Sequence, residues 1–332
     1  MSHITSRAIA RLREAVEFPD LAGTQYDAVE AIGRGGMGTV FRVHDRELAR
    51  DVALKVLSAR EVSEDARARM LDEARILARL EHPGIVPVHD VGVLPDGRVF
   101  YTMKLVRGSR LDEYARATHE IADLLRVFVR ACEAVAFAHS EGVVHRDMKP
   151  SNVMVGAFGE VLVLDWGVAK LLDRGTATET TTADAAAPSS SAPSTPPRRS
   201  ADTATGAVLG TPGFMAPEQA RGESAHVDPR SDVYALGAML RQILQASRAG
   251  AMPRRLRAIC DRATAVDPAA RYPDVASLSR DVERFATGQA VTAYKEHWTE
   301  RARRLASRHR IAVTLIAAYL LMRVLIFFLD RP

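Results

Sequence analysis

The hydrophobic pattern of this chain changes its period once, near residue 107, and this change limits the folds that the chain can adopt. From Tyr26 to Val106 the apolar runs are short and strand-like, as in YDAVEAIG, TVFRVHD and DVALKVL. One helical run, SEDARARMLDEARILARLE, interrupts them. VPVHDVGVLPDGRVFYTMKLV then predicts two strands joined by a turn at Pro95-Asp96-Gly97. The first part of the chain is therefore predicted to be rich in β-sheet.

Helical patterns dominate after Gly108. Four segments carry apolar residues at helical spacing: IADLLRVFVRACEAVAFAHSEG, DVYALGAMLRQILQ, PRRLRAICDRATAV and PDVASLSRDVERFATG. We therefore predict an α+β fold with two lobes, a small β-rich lobe over residues 26–106 and a larger α-helical lobe over residues 107–288. Residues 1–25 are an N-terminal extension that lacks the uninterrupted apolar core of a secretory signal.

The composition is that of an ordinary globular protein. The 332 residues are 47% hydrophobic and 26% charged, which is enough for a sizeable core. A net charge of +4 is small for this length, so we expect no nucleic-acid partner. Cys132 and Cys260 lie in apolar helical patterns and form neither a disulfide framework nor a zinc site, which fits a reducing compartment.

One segment interrupts the helical lobe. Residues 174–205, RGTATETTTADAAAPSSSAPSTPPRRSADTAT, are almost entirely Ala, Ser, Thr and Pro, without apolar periodicity. Such a segment cannot bury enough apolar surface to offset the entropy lost on ordering, so we predict a disordered insert.

The C-terminal run IAVTLIAAYLLMRVLIFFL, residues 311–329, contains a single charge, Arg323. As a helix these residues would be about 28 Å long, close to the thickness of a bilayer's hydrocarbon core. A central Arg costs about 3 kcal/mol, which the apolar residues offset at about 0.3 to 0.6 kcal/mol each. We predict a transmembrane helix; a helix docked on the protein itself is the alternative.

The segment before this run, residues 289–310, ends in the basic sequence ERARRLASRHR. Positive charge beside a span marks its cytoplasmic side, so we expect a single-pass protein of the inner cell membrane with its lobes in the cytoplasm. The same basic residues could also bind anionic lipid headgroups.

A glycine cluster, IGRGGMGTV, separates the first two predicted strands. Glycines without Cβ atoms let backbone N–H groups approach phosphate oxygens closely. A dinucleotide-binding fingerprint would continue into a helix, whereas here a strand follows, which favours a lid over phosphates. A plain glycine-rich hairpin would give the same pattern.

Ionisable residues also stand in otherwise apolar surroundings. Lys55 lies among apolar strand residues, so its ammonium needs an anionic partner, which Glu73 on the following helix can provide. HRDMKPSN is a polar stretch between the apolar residues GVV and VMV, and in LVLDWG an apolar run ends at Asp165. Asp165 suits Mg²⁺, a hard cation that prefers oxygen ligands, and Asp147 suits proton transfer.

Six motifs in this order resemble those of eukaryotic-type (Hanks-type) serine/threonine protein kinases, of the membrane-anchored kind found in bacteria. They are GRGGMG, VALK with Glu73, HRDMKPSN, DWG, GTPGFMAPE and SDVYALG, within residues 26–288. The resemblance implies a bilobal protein-kinase-like fold, ATP with Mg²⁺ (or Mn²⁺) as cofactors, and protein substrates carrying Ser or Thr.

The resemblance also implies a role for each matching residue. Asp147 would accept the hydroxyl proton, Lys149 would stabilise the transferring phosphoryl group, and Asn152 and Asp165 would bind the metal. Lys55, oriented by Glu73, would bind phosphates. Met103 would be the gatekeeper of the adenine pocket, with residues 104–106 as its hinge. The complete set of implied nucleotide-binding residues is Ile32, Gly33, Gly35, Gly38, Val40, Ala53, Lys55, Met103, Val106 and Asp165.

Five further residues carry implied positioning roles. Thr211 would link the substrate loop to Asp147 and Lys149 and favour Ser/Thr over Tyr. The remaining roles are an ion pair between Glu218 and Arg271, support of the HRD turn by Asp232, and reception of an activation-loop phosphate by Arg146.

Three departures from the family pattern stand out. Trp166 replaces the usual phenylalanine of the metal-binding motif. The insert lengthens the activation loop, where Thr203 and Thr205 are candidate phosphorylation sites; a passive spacer is the alternative. After SDVYALGAMLRQILQ, the short sequence ASRAGAMP leads directly into the next helix, so a family element that helps to dock substrates is missing.

We therefore predict a signalling kinase that transfers the ATP γ-phosphoryl group to protein Ser or Thr and phosphorylates itself. A catalytically weak pseudokinase or membrane-tethered scaffold, and a small-molecule kinase, are the competing interpretations. Expected partners are ATP, protein substrates, the membrane and, in a homodimer, a second copy of the chain.

Overall fold

The computed structural model describes residues 18–35, 38–57, 63–166, 169–171, 211, 213–222, 228–301, 314–316 and 318–323. The strands are Tyr26–Gly35 (β1), Gly38–Asp45 (β2), Arg50–Leu57 (β3), Val88–Val93 (β4), Val99–Lys104 (β5), Gly108–Arg110 (β6), Val143–Val144 (β7), Val153–Gly156 (β8), Val161–Val163 (β9) and Lys170–Leu171 (β10). The helices are Glu64–Arg79 (α1), Leu111–Ala117 (α2), Ile121–Ser140 (α3), Pro217–Ala220 (α4), Pro229–Ala246 (α5), Arg254–Ala263 (α6) and Val275–Ala286 (α7).

The first lobe is an antiparallel sheet with the strand order β1-β2-β3-β5-β4. Its strands follow the predicted runs closely, and Gly97, with a φ of 82°, lies in the predicted turn between β4 and β5. In the β3–β5 register Lys55 stands directly opposite Tyr101. Directly opposed residues project to the same face of a sheet, so these two side chains share a face.

Helix α1 packs against β3, β4 and β5. Ser63 caps its N-terminus by accepting a hydrogen bond from the backbone N–H of Ala66 at 3.1 Å. The predicted apolar face is buried at Met70, Ala74 and Leu77. This packing carries Glu73 toward the sheet.

The second lobe is helical, as predicted. Helix α3 is buried along its length and contacts α5 and α7, and α5 also packs on α6. The four predicted helices are present as α3, α5, α6 and α7, whereas the short helix α2 was not predicted from the sequence. Residues 247–253 join α5 to α6 without a helix, in agreement with the missing element noted in the sequence.

Two small sheets at the edge of the helical lobe position the motif loops. Strands β6, β8 and β9 form one sheet, and β7 pairs with β10 in the other. HRDMKPSN lies between β7 and β8, and DWG follows β9. The backbone N–H of Val163 in β9 bonds to the carbonyl of Gly84 at 2.8 Å, which ties the three-stranded sheet to the segment between α1 and β4 in the first lobe.

Packing of the helical lobe continues beyond Gly288. Asp281 of α7 is buried and accepts hydrogen bonds from the backbone N–H groups of Thr292 and Ala293 at 2.6 and 3.1 Å. It also accepts one from the Tyr272 hydroxyl at 2.8 Å. Val291 is 4% exposed, so the start of the predicted basic segment is part of the folded lobe.

Several predicted features lie wholly or partly outside the described residues. These are the insert at 174–205 with Thr203 and Thr205, most of the extension at 1–25, residues 302–310, and more than half of the predicted span at 311–329. Within that span, residues 314–316 and 318–323 are helical, and their side chains are exposed. No helix among the described residues has the length and apolar character needed to span a bilayer.

Candidate active site

The residues on either side of Lys55 in β3 are buried, and Lys55 itself is only 8% exposed. Its Nζ donates to the two carboxylate oxygens of Glu73 at 2.8 and 3.0 Å, so the predicted ion pair is present. Burial alone would lower the pKa of Lys55, but the carboxylates beside it hold that pKa above its ordinary value. The ammonium therefore stays charged although it is buried.

Asp165 provides a second carboxylate for the same lysine. Its Oδ1 accepts from Lys55 Nζ at 3.1 Å, which joins the end of β9 in the helical lobe to β3 in the sheet lobe. Partial desolvation raises the pKa of the Asp165 carboxyl, but Lys55 outweighs this effect and the pKa lies below its usual value. Its side chain is 52% exposed, so an ionised carboxylate remains accessible to a cation.

Asp147, Lys149 and Thr211 form a second group. Lys149 Nζ donates to Asp147 Oδ2 at 2.6 Å and to Thr211 Oγ1 at 2.7 Å. Asp147 Oδ1 accepts from the backbone N–H of Thr211 at 2.9 Å and from its hydroxyl at 2.8 Å. The structure thus brings the predicted substrate loop into contact with the predicted base and its lysine.

Asn152 connects the two groups. Its Nδ2 donates to the backbone carbonyl of Asp147 at 2.8 Å. The backbone carbonyl of Asn152 accepts from the backbone N–H of Leu164, also at 2.8 Å. Leu164 immediately precedes Asp165, so the loop and the end of β9 are held together. Because Nδ2 is engaged with protein, Oδ1 is the Asn152 atom suited to a metal.

Asp232 of α5 holds the backbone of the HRD turn, residues 145–147, as predicted. Asp232 accepts the backbone N–H groups of His145 and Arg146, each at 2.8 Å, and also contacts His139 Nε2 at 2.8 Å. Complete burial raises the pKa of Asp232, but these hydrogen bonds and the two histidines lower it below its ordinary value. The turn contains strain, since Arg146 has a φ of 70°.

The guanidinium of Arg146 has spare hydrogen-bonding capacity. Its Nε and Nη2 atoms are buried and have no hydrogen-bond partner among the described residues. Burial lowers its pKa, although the group remains a cation. Its backbone carbonyl accepts from Gln219 Nε2 at 3.1 Å, while Gln219 Oε1 accepts from the N–H of Ala216 at 3.1 Å. Gln219 therefore links residues 145–152, the predicted catalytic loop, to residues 213–222, the predicted substrate segment.

Trp166 is 1% exposed and packs on His145, with ring centroids 4.6 Å apart. Its indole Nε1 is buried without a hydrogen-bond partner among the described residues. The larger ring is therefore accommodated in the core next to Asp165, at the cost of one unsatisfied donor.

Glu218 and Arg271 form the predicted ion pair beneath the substrate segment. The guanidinium contacts Glu218 Oε1 at 2.7 Å and Oε2 at 2.8 Å in a bidentate pair, with the arginine side chain fully buried. Burial raises the pKa of Glu218, but hydrogen bonds from Arg271 dominate and lower it.

The predicted nucleotide-binding residues of the sheet lobe line up along β1, β2, β3 and β5. Gly33 is paired with Val40, Gly35 with Gly38, and Ala53 with Met103. A Cβ added at Gly38 would collide with the carbonyl oxygen of Val56. The remaining two predicted residues are Ile32, which is exposed, and Val106, which is half-buried.

The donor set fits a metal-bound nucleotide. Among the described residues no three His, Cys, Asp or Glu side chains cluster as a self-sufficient metal site. Asp165 and Asn152 together offer a carboxylate and an amide oxygen, and Mg²⁺ commonly takes one or two protein ligands and completes its shell with phosphates and water. Lys55 supplies the positive charge that phosphates require.

Three residues of the site were missed from the sequence. Tyr101 donates its hydroxyl hydrogen to Glu73 Oε1 at 2.9 Å. His139 contacts Asp232, which supports the HRD turn. Gln219 donates to the backbone carbonyl of Arg146 in that turn. The strand and helix patterns signalled only that Tyr101 and His139 lie on predicted elements, and no predicted element covered Gln219. The strand register and the loop geometry decide the contacts of these residues.

Comparison with known proteins agrees with this geometry. The sequence model of the family described as "Protein kinase domain" matches residues 26–288. The chain is 31% identical to serine/threonine-protein kinase PknD of Protochlamydia amoebophila in an alignment 339 positions long, gaps included, which covers 87% of this chain and 33% of that protein. It is 32% identical to serine/threonine-protein kinase PknD of Chlamydia trachomatis serovar D in an alignment 322 positions long, which covers 85% of this chain and 33% of that protein.

The chain thus spans about a third of the length of these curated relatives. Among solved structures, the kinase domain of Mycobacterium tuberculosis PknI superposes with a TM-score of 0.56 at 24% sequence identity. The superposition covers 80% of this chain and 96% of that domain, and at this identity it supports the fold.

Proposed function

The chain belongs to the protein kinase family, and from this premise we propose that it transfers the γ-phosphoryl group of ATP to serine or threonine residues of proteins. The observation that carries the proposal is the complete bonded set at the site. Lys55 is paired with Glu73, and Asp147 is bonded to both Lys149 and Thr211. A pseudokinase scaffold would have no need to keep all of these groups in contact.

Asp147 acts on the incoming hydroxyl. Its carboxylate accepts the proton as the oxygen attacks, and contacts with Lys149 and Thr211 fix its orientation. Lys149 also places a positive charge where negative charge grows on the transferring group. The hydrogen bond that Lys149 Nζ donates to the Thr211 hydroxyl favours a short Ser or Thr side chain as acceptor of the phosphoryl group.

ATP and Mg²⁺ fit the remaining residues. Lys55 would hold phosphate oxygens, Asn152 Oδ1 and the Asp165 carboxylate would hold the metal, and Ala53, Val40 and Met103 would border the adenine. When bound, the metal neutralises phosphate charge and aligns the terminal phosphoryl group. The lowered pKa of Asp165 keeps its carboxylate ionised for this role.

Phosphorylation of the activation loop is part of the proposal. The two unpartnered guanidinium nitrogens of Arg146 suit the oxygens of a phosphorylated Ser or Thr from the insert at 174–205, with Thr203 and Thr205 as the nearest candidates. Replacing the Ser and Thr residues of the insert should abolish activation by preincubation with ATP. Unchanged activity would leave the insert as a spacer.

Residues 311–329 are proposed to anchor the protein in the inner membrane, with the lobes in the cytoplasm. Support comes from the apolar sequence and from the exposed apolar side chains on residues 314–316 and 318–323. Carbonate-resistant fractionation of the full chain with membranes tests this point. Extraction of the chain by carbonate would contradict it.

The proposed activity is tested with purified full chain, Mg²⁺ and γ-labelled ATP, followed by identification of the phosphorylated residue types in the chain and in an added mixture of unstructured protein. We expect label on Ser and Thr, and none with Asp147→Asn. Equal labelling by Asp147→Asn would overturn the proposed role of Asp147. ATP binding without any transfer would favour the scaffold.

A further inference from the structure

Tyr101 lies against the Lys55–Glu73 pair, and no step of the proposed mechanism uses it. It stands opposite Lys55 in the β3–β5 register, on the face of the sheet that α1 covers. The residue is 1% exposed and Glu73 is 2% exposed. Bulk water therefore cannot reach Glu73 and take the place of the tyrosine hydroxyl as a hydrogen-bond donor.

The contacts of Glu73 show what this hydroxyl does. Glu73 Oε1 accepts two hydrogen bonds, one from Lys55 Nζ at 2.8 Å and one from the Tyr101 hydroxyl at 2.9 Å. Lys55 Nζ also lies 5.8 Å from the centroid of the Tyr101 ring. Burial raises the pKa of Tyr101 well above its ordinary value, so the hydroxyl keeps its proton and remains a donor.

Lys55 has a competing partner in Asp165, whose Oδ1 lies 3.1 Å from the same ammonium. A glutamate held by a second donor has fewer accessible rotamers than one held by the lysine alone. Fixing Glu73 therefore favours the position of Lys55 on the α1 side of the cleft and leaves Asp165 available for a cation.

We propose that Tyr101 is a positioning residue for phosphoryl transfer: its hydroxyl fixes the Glu73 carboxylate, which holds Lys55 in place for the nucleotide phosphates. This inference rests on the proposed function. A purely structural role would belong to the ring, which fills the core between the sheet and α1. Phenylalanine retains the ring and lacks the hydroxyl, so it separates the two roles.

The test compares Tyr101→Phe with Tyr26→Phe in the full chain. Tyr26 is the matched control, because it is a 3%-exposed tyrosine of the same sheet whose hydroxyl contacts Asp90 and Thr102 and neither Glu73 nor Lys55. We expect Tyr101→Phe to lower kcat/KM for ATP about tenfold, and Tyr26→Phe to leave it unchanged. The two variants should have similar melting temperatures.

A double-mutant cycle with Glu73→Ala shows whether the hydroxyl acts through Glu73. In the Glu73→Ala background, Tyr101→Phe should cause no further loss. An equal loss in both backgrounds, or wild-type kcat/KM in Tyr101→Phe alone, would overturn the proposal. If Glu73→Ala does not fold, Glu73→Gln replaces it, and the effect of Tyr101→Phe should shrink.

The same cycle is measured by calorimetry as the Kd for Mg²⁺-ATP, which requires no turnover. If the wild-type chain transfers no phosphate, the proposed function fails while the binding cycle still decides the role of Tyr101. Coupled losses of affinity support that role, and additive or absent losses overturn it.

Discussion

Replacing Arg271 with methionine should cost the helical lobe a large part of its stability. The guanidinium makes two bonds to Glu218 and three to the backbone carbonyls of Arg230, Ala265 and Val266, at 2.7 to 3.1 Å. Methionine fills similar volume but leaves Glu218 as a buried carboxylate whose only side-chain partner among the described residues is the Ser231 hydroxyl. Removing one member of a buried ion pair typically costs about 3 to 5 kcal/mol.

The assay is urea unfolding of the full chain in a mild detergent, followed by far-ultraviolet circular dichroism. A loss of about 4 kcal/mol, with an m-value of about 3 kcal/mol per M, moves the midpoint down by roughly 1 M. Asp261→Asn is the control, because it breaks an exposed pair with Arg241 and should change stability by less than about 1 kcal/mol. An Arg271→Met midpoint equal to that of the control would refute the reasoning.

The Glu218–Arg271 pair also predicts how the free energy of unfolding depends on pH. The pKa of Glu218 is lowered in the folded protein, so the pair stabilises the fold fully above the ordinary glutamate pKa, and this stability is lost as pH falls through the lowered value. Below about pH 4 the difference in the free energy of unfolding between wild type and Arg271→Met should therefore become smaller. A difference that stays constant from pH 7 to pH 3 would contradict this assignment.

Three other predictions concern the support of the site. Ser63→Ala removes the cap of α1, the helix that carries Glu73, and should lower the free energy of unfolding by about 1 kcal/mol in urea titration; a loss below measurement error would count against it. Gly38→Ala places a Cβ against the Val56 carbonyl and should cost about 1 to 3 kcal/mol by the same titration and weaken ATP binding by calorimetry, and unchanged values would show that the loop adjusts freely. Asp232→Asn should destabilise the fold by roughly 3 kcal/mol at pH 7; because the folded pKa of Asp232 is lowered, this gap should close in acid, and parallel acid-unfolding curves would disprove it.

The overall fold and most of the site followed from the sequence because the relevant signals are local. The change from strand to helix periodicity predicted both lobes, and the apolar strand residues around Lys55 predicted an anionic partner, which Glu73 provides. The Glu218–Arg271 pair and the Asp232 support came from the family resemblance.

Other contacts depend on how elements pair, which the sequence pattern does not state. Tyr101 reads as one more aromatic strand residue until the β3–β5 register sets it opposite Lys55. Gln219 reaches the Arg146 carbonyl only because the substrate segment returns to the catalytic loop. Hydrogen bonds from residues 292–293 to the buried Asp281 extended the folded lobe past residue 288, where the last predicted helical segment ends.

The proposed function requires that four side chains serve a single metal-bound nucleotide, namely Lys55, Asp147, Asn152 and Asp165. The most direct measurement is a crystal structure of the full chain with Mg²⁺ and a non-hydrolysable ATP analogue. We expect phosphate oxygens at about 3 Å from Lys55 Nζ, the metal on Asn152 Oδ1 and Asp165, and the Asp147 carboxylate facing the terminal phosphate. A nucleotide bound elsewhere, or a metal that contacts neither Asn152 nor Asp165, would contradict it.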